Sequence, residues 1–166
     1  MRYPLAILLL GLALPAWLPA QESGHEGRMA GPTVERFFGD NGGRVLLLGY
    51  RWTTLGSSPN GFDAVLGVAP AALVSRSLYL QADAAFARAV PVGPATLLVQ
   101  GGVANFIVLE RTIEFYPGLQ GGVALLVPLE ARLAGRIDLT RRVYLAGKES
   151  YPFWSIAVSL PAFRVR

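Results

Sequence analysis

From residue 44 onward, large apolar side chains recur at every second position. In residues 44–54, "RVLLLGYRWTT", Leu46, Leu48, Tyr50 and Trp52 share one parity, and alternation of this kind marks a β-strand with two unlike faces. The period returns at 62–69, where Phe62, Ala64, Leu66 and Val68 oppose Asp63, Val65, Gly67 and Ala69. At 78–87, Leu78, Leu80, Ala82, Ala84 and Phe86 oppose Tyr79, Gln81, Asp83 and Ala85. Residues 95–106 set Leu97, Val99, Gly101 and Val103 against Leu98, Gln100, Gly102 and Ala104, and residues 118–128 set Leu119, Gly121, Val123, Leu125 and Val127 against Gln120, Gly122, Ala124 and Leu126. In 130–139, "EARLAGRIDL", Glu130, Arg132, Ala134, Arg136 and Asp138 face away from Ala131, Leu133, Gly135, Ile137 and Leu139. Residues 153–160 close the series with Trp154, Ile156, Val158 and Leu160 against Ser155, Ala157 and Ser159. A short candidate at 33–38 brings the count to eight, and the turn-forming clusters "GDNGG" (39–43), "GSSPNG" (56–61) and "RAVPVGP" (88–94) separate the segments.

The two rows differ in kind. One carries Leu, Val, Ile, Phe and Trp, while the other carries Gly, Ala, Ser, Gln, Asp and Arg. A soluble eight-stranded barrel needs its bulky row inside and a charged row in water, and the second row here is too poor in charge to solvate an exterior. An Arg facing lipid at mid-depth costs roughly 2–4 kcal/mol, which turns Arg132 and Arg136 inward. Ten residues at about 3.3 Å each, tilted about 45°, rise roughly 23 Å, the height of an outer-membrane apolar band. The expected fold is therefore all-β, an antiparallel up-and-down transmembrane β-barrel of about eight strands. Its lumen would hold a polar network of Gln81, Asp83, Gln100, Gln120, Glu130, Arg132, Arg136 and Asp138. Mutual pairing of these side chains is favoured over an open solute path, because eight-stranded barrels are filled and buried charge must be compensated. Tyr50, Trp52, Tyr144, Tyr151 and Trp154 fall near strand ends, where interfacial aromatics belong. A tight turn through Pro128 and Leu129 would join the strands at 118–128 and 130–139, with longer outer loops at 107–116 and 143–151.

Composition narrows the class. The hydrophobic share is 52% against 16% charged, where a soluble domain carries about 25% charged residues, and mean hydropathy is +0.42. Residues 1–20 combine Arg2, an apolar run of about ten residues and a small residue at Ala20, the pattern of a cleaved secretory signal peptide. Residues 21–32, "QESGHEGRMAGP", read as a flexible periplasmic leader, leaving 33–166 as the barrel domain. Beyond the first twenty residues no apolar run approaches the ~18 a spanning helix needs. There are no cysteines, so export is not being used to form disulfides. Loss of Arg2 would take the net charge from +4 to +3, a dispersed excess that does not point to nucleic acid.

Candidate chemistry is sparse. The one histidine, His25, precedes every strand candidate, so a barrel hydrolase would lack its usual general base. No enzymatic activity, metal site or cofactor is expected. Asp40 lacks the alternating carboxylates of a calcium loop. The pairs Gly101-Gly102 and Gly121-Gly122 sit inside strand patterns with no helix after them, so they suit crowding or curvature rather than phosphate binding. Arg141 and Arg142, placed near an outer rim, suit either solvent or the phosphates of lipopolysaccharide.

Residues 116–145, "YPGLQGGVALLVPLEARLAGRIDLTRRVYL", resemble the small outer-membrane β-barrel proteins of Gram-negative bacteria, the OmpA/OmpX-like group. The Gly-rich penultimate hairpin, the tight turn and "DLTRR" (138–142) carry the likeness, which extends loosely over 33–163. The resemblance implies an eight-stranded up-and-down barrel inserted by the barrel assembly machinery. It carries over no catalytic residue. The leading expectation is a monomer set in outer-membrane lipid, with a structural or surface-interaction role in the envelope. The competing expectations are a soluble lipocalin-like barrel around an apolar ligand and a narrow outer-membrane pore.

Overall fold

Nine β-strands, built as period-two segments, account for nearly all of the described chain. They are β1 (Gly27–Gly39), β2 (Arg44–Leu55), β3 (Asn60–Val68), β4 (Leu78–Val92), β5 (Ala95–Leu109), β6 (Ile113–Glu130), β7 (Leu133–Ala146), β8 (Glu149–Ser159) and a short β9 (Ala162–Arg164). The computed structural model describes residues 27–40, 44–55, 58–69, 77–130 and 132–164. Each of β1 to β8 pairs antiparallel with its neighbour in sequence. The ring closes where β1 meets β8, from Thr33↔Ser159 to Gly39↔Phe153. β9 resumes the line of β8 after Pro161 and pairs with Arg28 to Ala30 of β1. Pro161 has no N–H to give the ladder, and its carbonyl instead accepts from the Ala134 N–H at 3.0 Å.

Strand parity is as the alternation requires. Leu46, Leu48, Phe62, Leu66, Phe86, Val103, Leu119, Val123, Ile137, Leu139, Trp154, Ile156 and Val158 are all exposed on the outer wall, while Arg136, Arg142, Asp138, Gln81 and Glu35 are buried within. The fold is thus an all-β, up-and-down eight-stranded barrel, turned apolar side out. The wall is uneven, with 18 residues in β6 and 9 in β3.

Several expected boundaries move. β1 starts at Gly27, so residues 27–32, read as leader, belong to the wall. Their Gly and Pro content suggested flexibility, but β2 pairs with this stretch from Gly27↔Leu55 to Pro32↔Tyr50, and Met29 is buried as an anchor. The backbone of β9's approach lies so close that a Cβ on Gly31 would sit 2.2 Å from the Leu160 carbonyl oxygen. Residues 107–116 and 143–151, read as outer loops, are mostly strand: β5 reaches Leu109 and β6 begins at Ile113, while β7 and β8 are joined through Gly147 and Lys148 alone. Gly147 has φ 61° and Gly93, in the matching β4–β5 turn, has φ 59°. A left-handed Gly at the first of two loop residues is the mark of a type II′ hairpin. Pro128 and Leu129, expected to form a turn, are the irregular end of β6, where the register shifts between Pro128 and Glu130. Residues 1–20, expected to be a signal peptide, and residues 21–26 lie outside the described residues.

Candidate functional site

The inward parity stacks three layers along the barrel axis. At the end where β1 begins and β8 finishes, Met29, Leu55, Leu98, Ala124, Leu126 and Ala134 form an apolar floor. At the opposite, distal end Phe37, Leu47, Ala69, Ala104 and Tyr144 pack with Val45, Tyr79, Phe106, Tyr116 and Phe153 as an aromatic cap. Rings in the cap meet at 5.7 Å (Phe106–Tyr144), 5.9 Å (Tyr144–Phe153) and 6.3 Å (Phe37–Phe106), within the 4.5–7 Å at which tilted and edge-on aromatic pairs attract.

Between floor and cap lie the buried charges. Arg51 reaches Asp63 at 2.9 Å and Asp138 at 2.7 Å, and Arg136 reaches the same two carboxylates at 2.8 and 2.7 Å. Thr53 donates to Asp63 at 2.6 Å. Gln100 donates to Asp138 at 3.0 Å and accepts from Arg136 at 3.0 Å. One step toward the cap, Arg142 holds Glu35 at 2.6 Å and Asp83 at 2.9 Å and donates to Ser155. Gln81 donates to Glu35 at 2.9 Å and to Asp83 at 2.6 Å. The Arg142 guanidinium also lies 4.8 Å over the Phe37 ring, which couples the ionic layer to the cap. Three guanidinium groups thus meet four carboxylates among the described residues. Charges so far from water persist only with such partners, since removing one leaves the other uncompensated in a medium of low polarizability.

The expected lumen residues divide. Gln81, Asp83, Gln100, Arg136 and Asp138 are buried in the network. Gln120 has the inward parity but is half-buried and donates to the Val103 carbonyl instead. Glu130 and Arg132 do not line the lumen: Glu130 ends β6, Arg132 lies between β6 and β7, and both are exposed. Treating 130–139 as one continuous strand carried their parity inward, whereas the chain reverses between Glu130 and Leu133. Arg142 is likewise no rim residue but one of the most deeply buried side chains. Sequence reasoning left out Glu35, Arg51, Asp63 and Arg142 as network members. Parity held the clue for three of them, since Arg51 lies between outward Tyr50 and Trp52, Asp63 stands in the row opposed to Phe62 and Leu66, and Arg142 is four and six residues beyond Asp138 and Arg136.

The expected interfacial aromatics divide too. Tyr50, Trp52 and Trp154 are exposed on the outer wall, with the Tyr50 and Trp52 rings tilted at 55° and 4.9 Å apart. Tyr144 instead points inward to the cap, because it shares parity with Arg136 and Arg142. Tyr151 is exposed but pairs with Tyr144 and so carries the inward parity, at the distal mouth beyond the cap, where its hydroxyl donates to Glu149. Among the described residues no group of His, Cys, Asp or Glu is placed to hold a metal ion, and His25 lies outside them. Asp40 follows β1 and pairs with Arg141 at 3.1 Å. This hydrogen-bonded guanidinium holds its carboxyl below the usual range.

An apolar exterior around a filled, charged interior defines a transmembrane β-barrel. Solved structures with this fold include Neisserial surface protein A (TM-score 0.62, 6% identity, 82% of this chain and 96% of that chain) and the N-terminal β-barrel domain of Pseudomonas aeruginosa OprF (0.59, 8%, 82% and 98%). Ail, the attachment invasion locus protein of Yersinia pestis, is a third (0.50, 10%, 82% and 99%). All three are eight-stranded outer-membrane barrels, and at these identities the likeness is one of fold. No family model matches the sequence, and no curated protein is similar to it.

Proposed function

We propose that this protein is a closed, non-enzymatic barrel of the bacterial outer membrane, monomeric, with a structural or surface-interaction role in the cell envelope. The observation that carries the reading is the three-layer interior. The apolar floor and aromatic cap each interrupt a water column, and the charges of the ionic layer between them are engaged with one another. This favours a wall element over a narrow pore. It also disfavours a lipocalin-like carrier, because the lumen is occupied by side chains and the apolar row faces out. Barrel assembly machinery would insert the chain, and outer-membrane lipid, lipopolysaccharide included, would surround it.

The test is made on protein extracted from urea-washed outer membranes. Unheated samples should run as a compact species that shifts on boiling, and planar bilayers containing the folded protein should show no discrete conductance steps. Extraction by urea without a mobility shift defeats the membrane reading, and reproducible ohmic steps defeat the closed one.

A further inference from the structure

Cations and aromatics gather on one sector of the outer wall. Arg141, Trp154, Phe38 and Arg44 occupy successive paired positions across β7, β8, β1 and β2, all on the outward parity, and form a row of cations and aromatics near the distal rim. Trp52 lies eight residues below Arg44 on β2, about 20 Å at usual strand rise and tilt, so this row and the Tyr50–Trp52 pair bracket an apolar band of membrane thickness. Arg36 stands one step below the row, about 5 Å toward the band's centre, among Leu46, Ile156 and Val34. Its guanidinium lies 5.4 Å over the Phe38 ring, and among the described residues it has no ion pair. Beneath it runs a groove of about 390 Å³ lined by Val34, Arg36, Phe38, Ile156 and Val158.

The geometry points to a bound phosphorylated lipid of the outer leaflet, its phosphate bridging Arg36 and Arg44 and one acyl chain lying along Val34, Ile156 and Val158. Charge complementarity selects this occupant. An outward cation below the interfacial row is disfavoured in a neutral bilayer, and an apolar channel leading away from a cation fits a molecule that is anionic at one end and hydrocarbon at the other. Arg36 and Arg44 are diagonal neighbours, because Arg36 pairs with Leu46 two residues along from Arg44. Such positions lie about 7–8 Å apart, close enough for one phosphate to accept from both guanidinium groups. Arg141 sits at the far end of the row and is already neutralised by Asp40, so the site is centred on β1 and β2. This inference rests on the membrane-barrel reading.

Native mass spectrometry from mixed micelles of diphosphoryl lipid A and phosphatidylcholine tests it, on wild type, Arg36→Gln/Arg44→Gln and Val158→Trp. Wild type should retain one lipid A. The double variant, losing two cations near the headgroup plane, should retain about tenfold less or lower, and the groove-filling variant should also lose it. Heat-shifted gel mobility, checked on the same samples, separates the two levels of failure. A wild type that shows no shift defeats the barrel reading. A folded wild type that keeps phosphatidylcholine equally well, or a folded double variant that keeps lipid A undiminished, overturns the site alone.

Discussion

At the scale of single residues, burial rather than residue type decides what a substitution does. Asp138 contacts Arg51, Arg136 and Gln100 in the ionic layer, so Asp138→Ala leaves two buried guanidinium groups sharing the single carboxylate of Asp63 and should cost about 3–5 kcal/mol in urea unfolding from detergent or lipid. Arg132→Ala, on the exposed reversal after β6, should stay within about 0.5 kcal/mol of wild type. The Tyr144 hydroxyl is buried with no hydrogen-bond partner among the described residues, and a buried unpaired polar group is destabilising by about 1–3 kcal/mol. Tyr144→Phe should therefore raise the unfolding midpoint, and a lowered midpoint would contradict this account of the cap. At the rim, the depressed carboxyl of Asp40 means that its bond to Arg141 contributes fully above the ordinary carboxylate range. The contribution is lost only as pH falls through the lowered value, and carbon-13 titration of the Asp40 carboxyl should show the downward displacement vanish in Arg141→Gln. Parity counted inside a strand found part of the charged interior, as for Asp83 and Arg136, though Arg51, Asp63 and Arg142 on the same inward rows were passed over. It failed at Glu130 and Arg132 because parity means nothing across a reversal.

At the scale of the strand, two adjacent glycines separate wall from interior. A Cβ on Gly102 would lie 2.1 Å from the Ala84 carbonyl oxygen and 2.5 Å from the Ala85 Cα, backbone atoms that cannot swing aside, whereas the nearest atom to one on Gly101 is 3.8 Å away. Gly102→Ala should therefore lower the yield of heat-shifting barrel and its unfolding midpoint, while Gly101→Ala should leave both near wild type. Strand number and most facing choices could be read from the alternation, since lipid outside and packed charge inside impose unlike chemistries at period two. Strand ends could not. The turn at Gly147-Lys148 needs only two residues, and outside the membrane the apolar selection that reveals a strand lapses, so β5, β6, β7 and β8 run on through segments whose composition suggests loop. β1 was underestimated for a related reason: pairing with β2 and β9 on its two flanks orders a Gly- and Pro-bearing stretch that has little strand preference of its own.

At the scale of the whole molecule, the barrel's exterior and interior place different demands on assembly. The apolar exterior enforces parity and nothing finer, since a strand displaced by two residues still shows its greasy side to lipid. The ionic layer draws its partners from distant parts of the chain: 87 residues separate Arg51 from Asp138, and 73 separate Asp63 from Arg136. Slip any of those strands by one pair and a guanidinium lands opposite the floor or the cap, abandoned in hydrocarbon. The buried charges therefore work as a combination lock, rejecting the many two-residue offsets that the membrane itself would accept, so that among near-identical barrels of this chain only one alignment can shut.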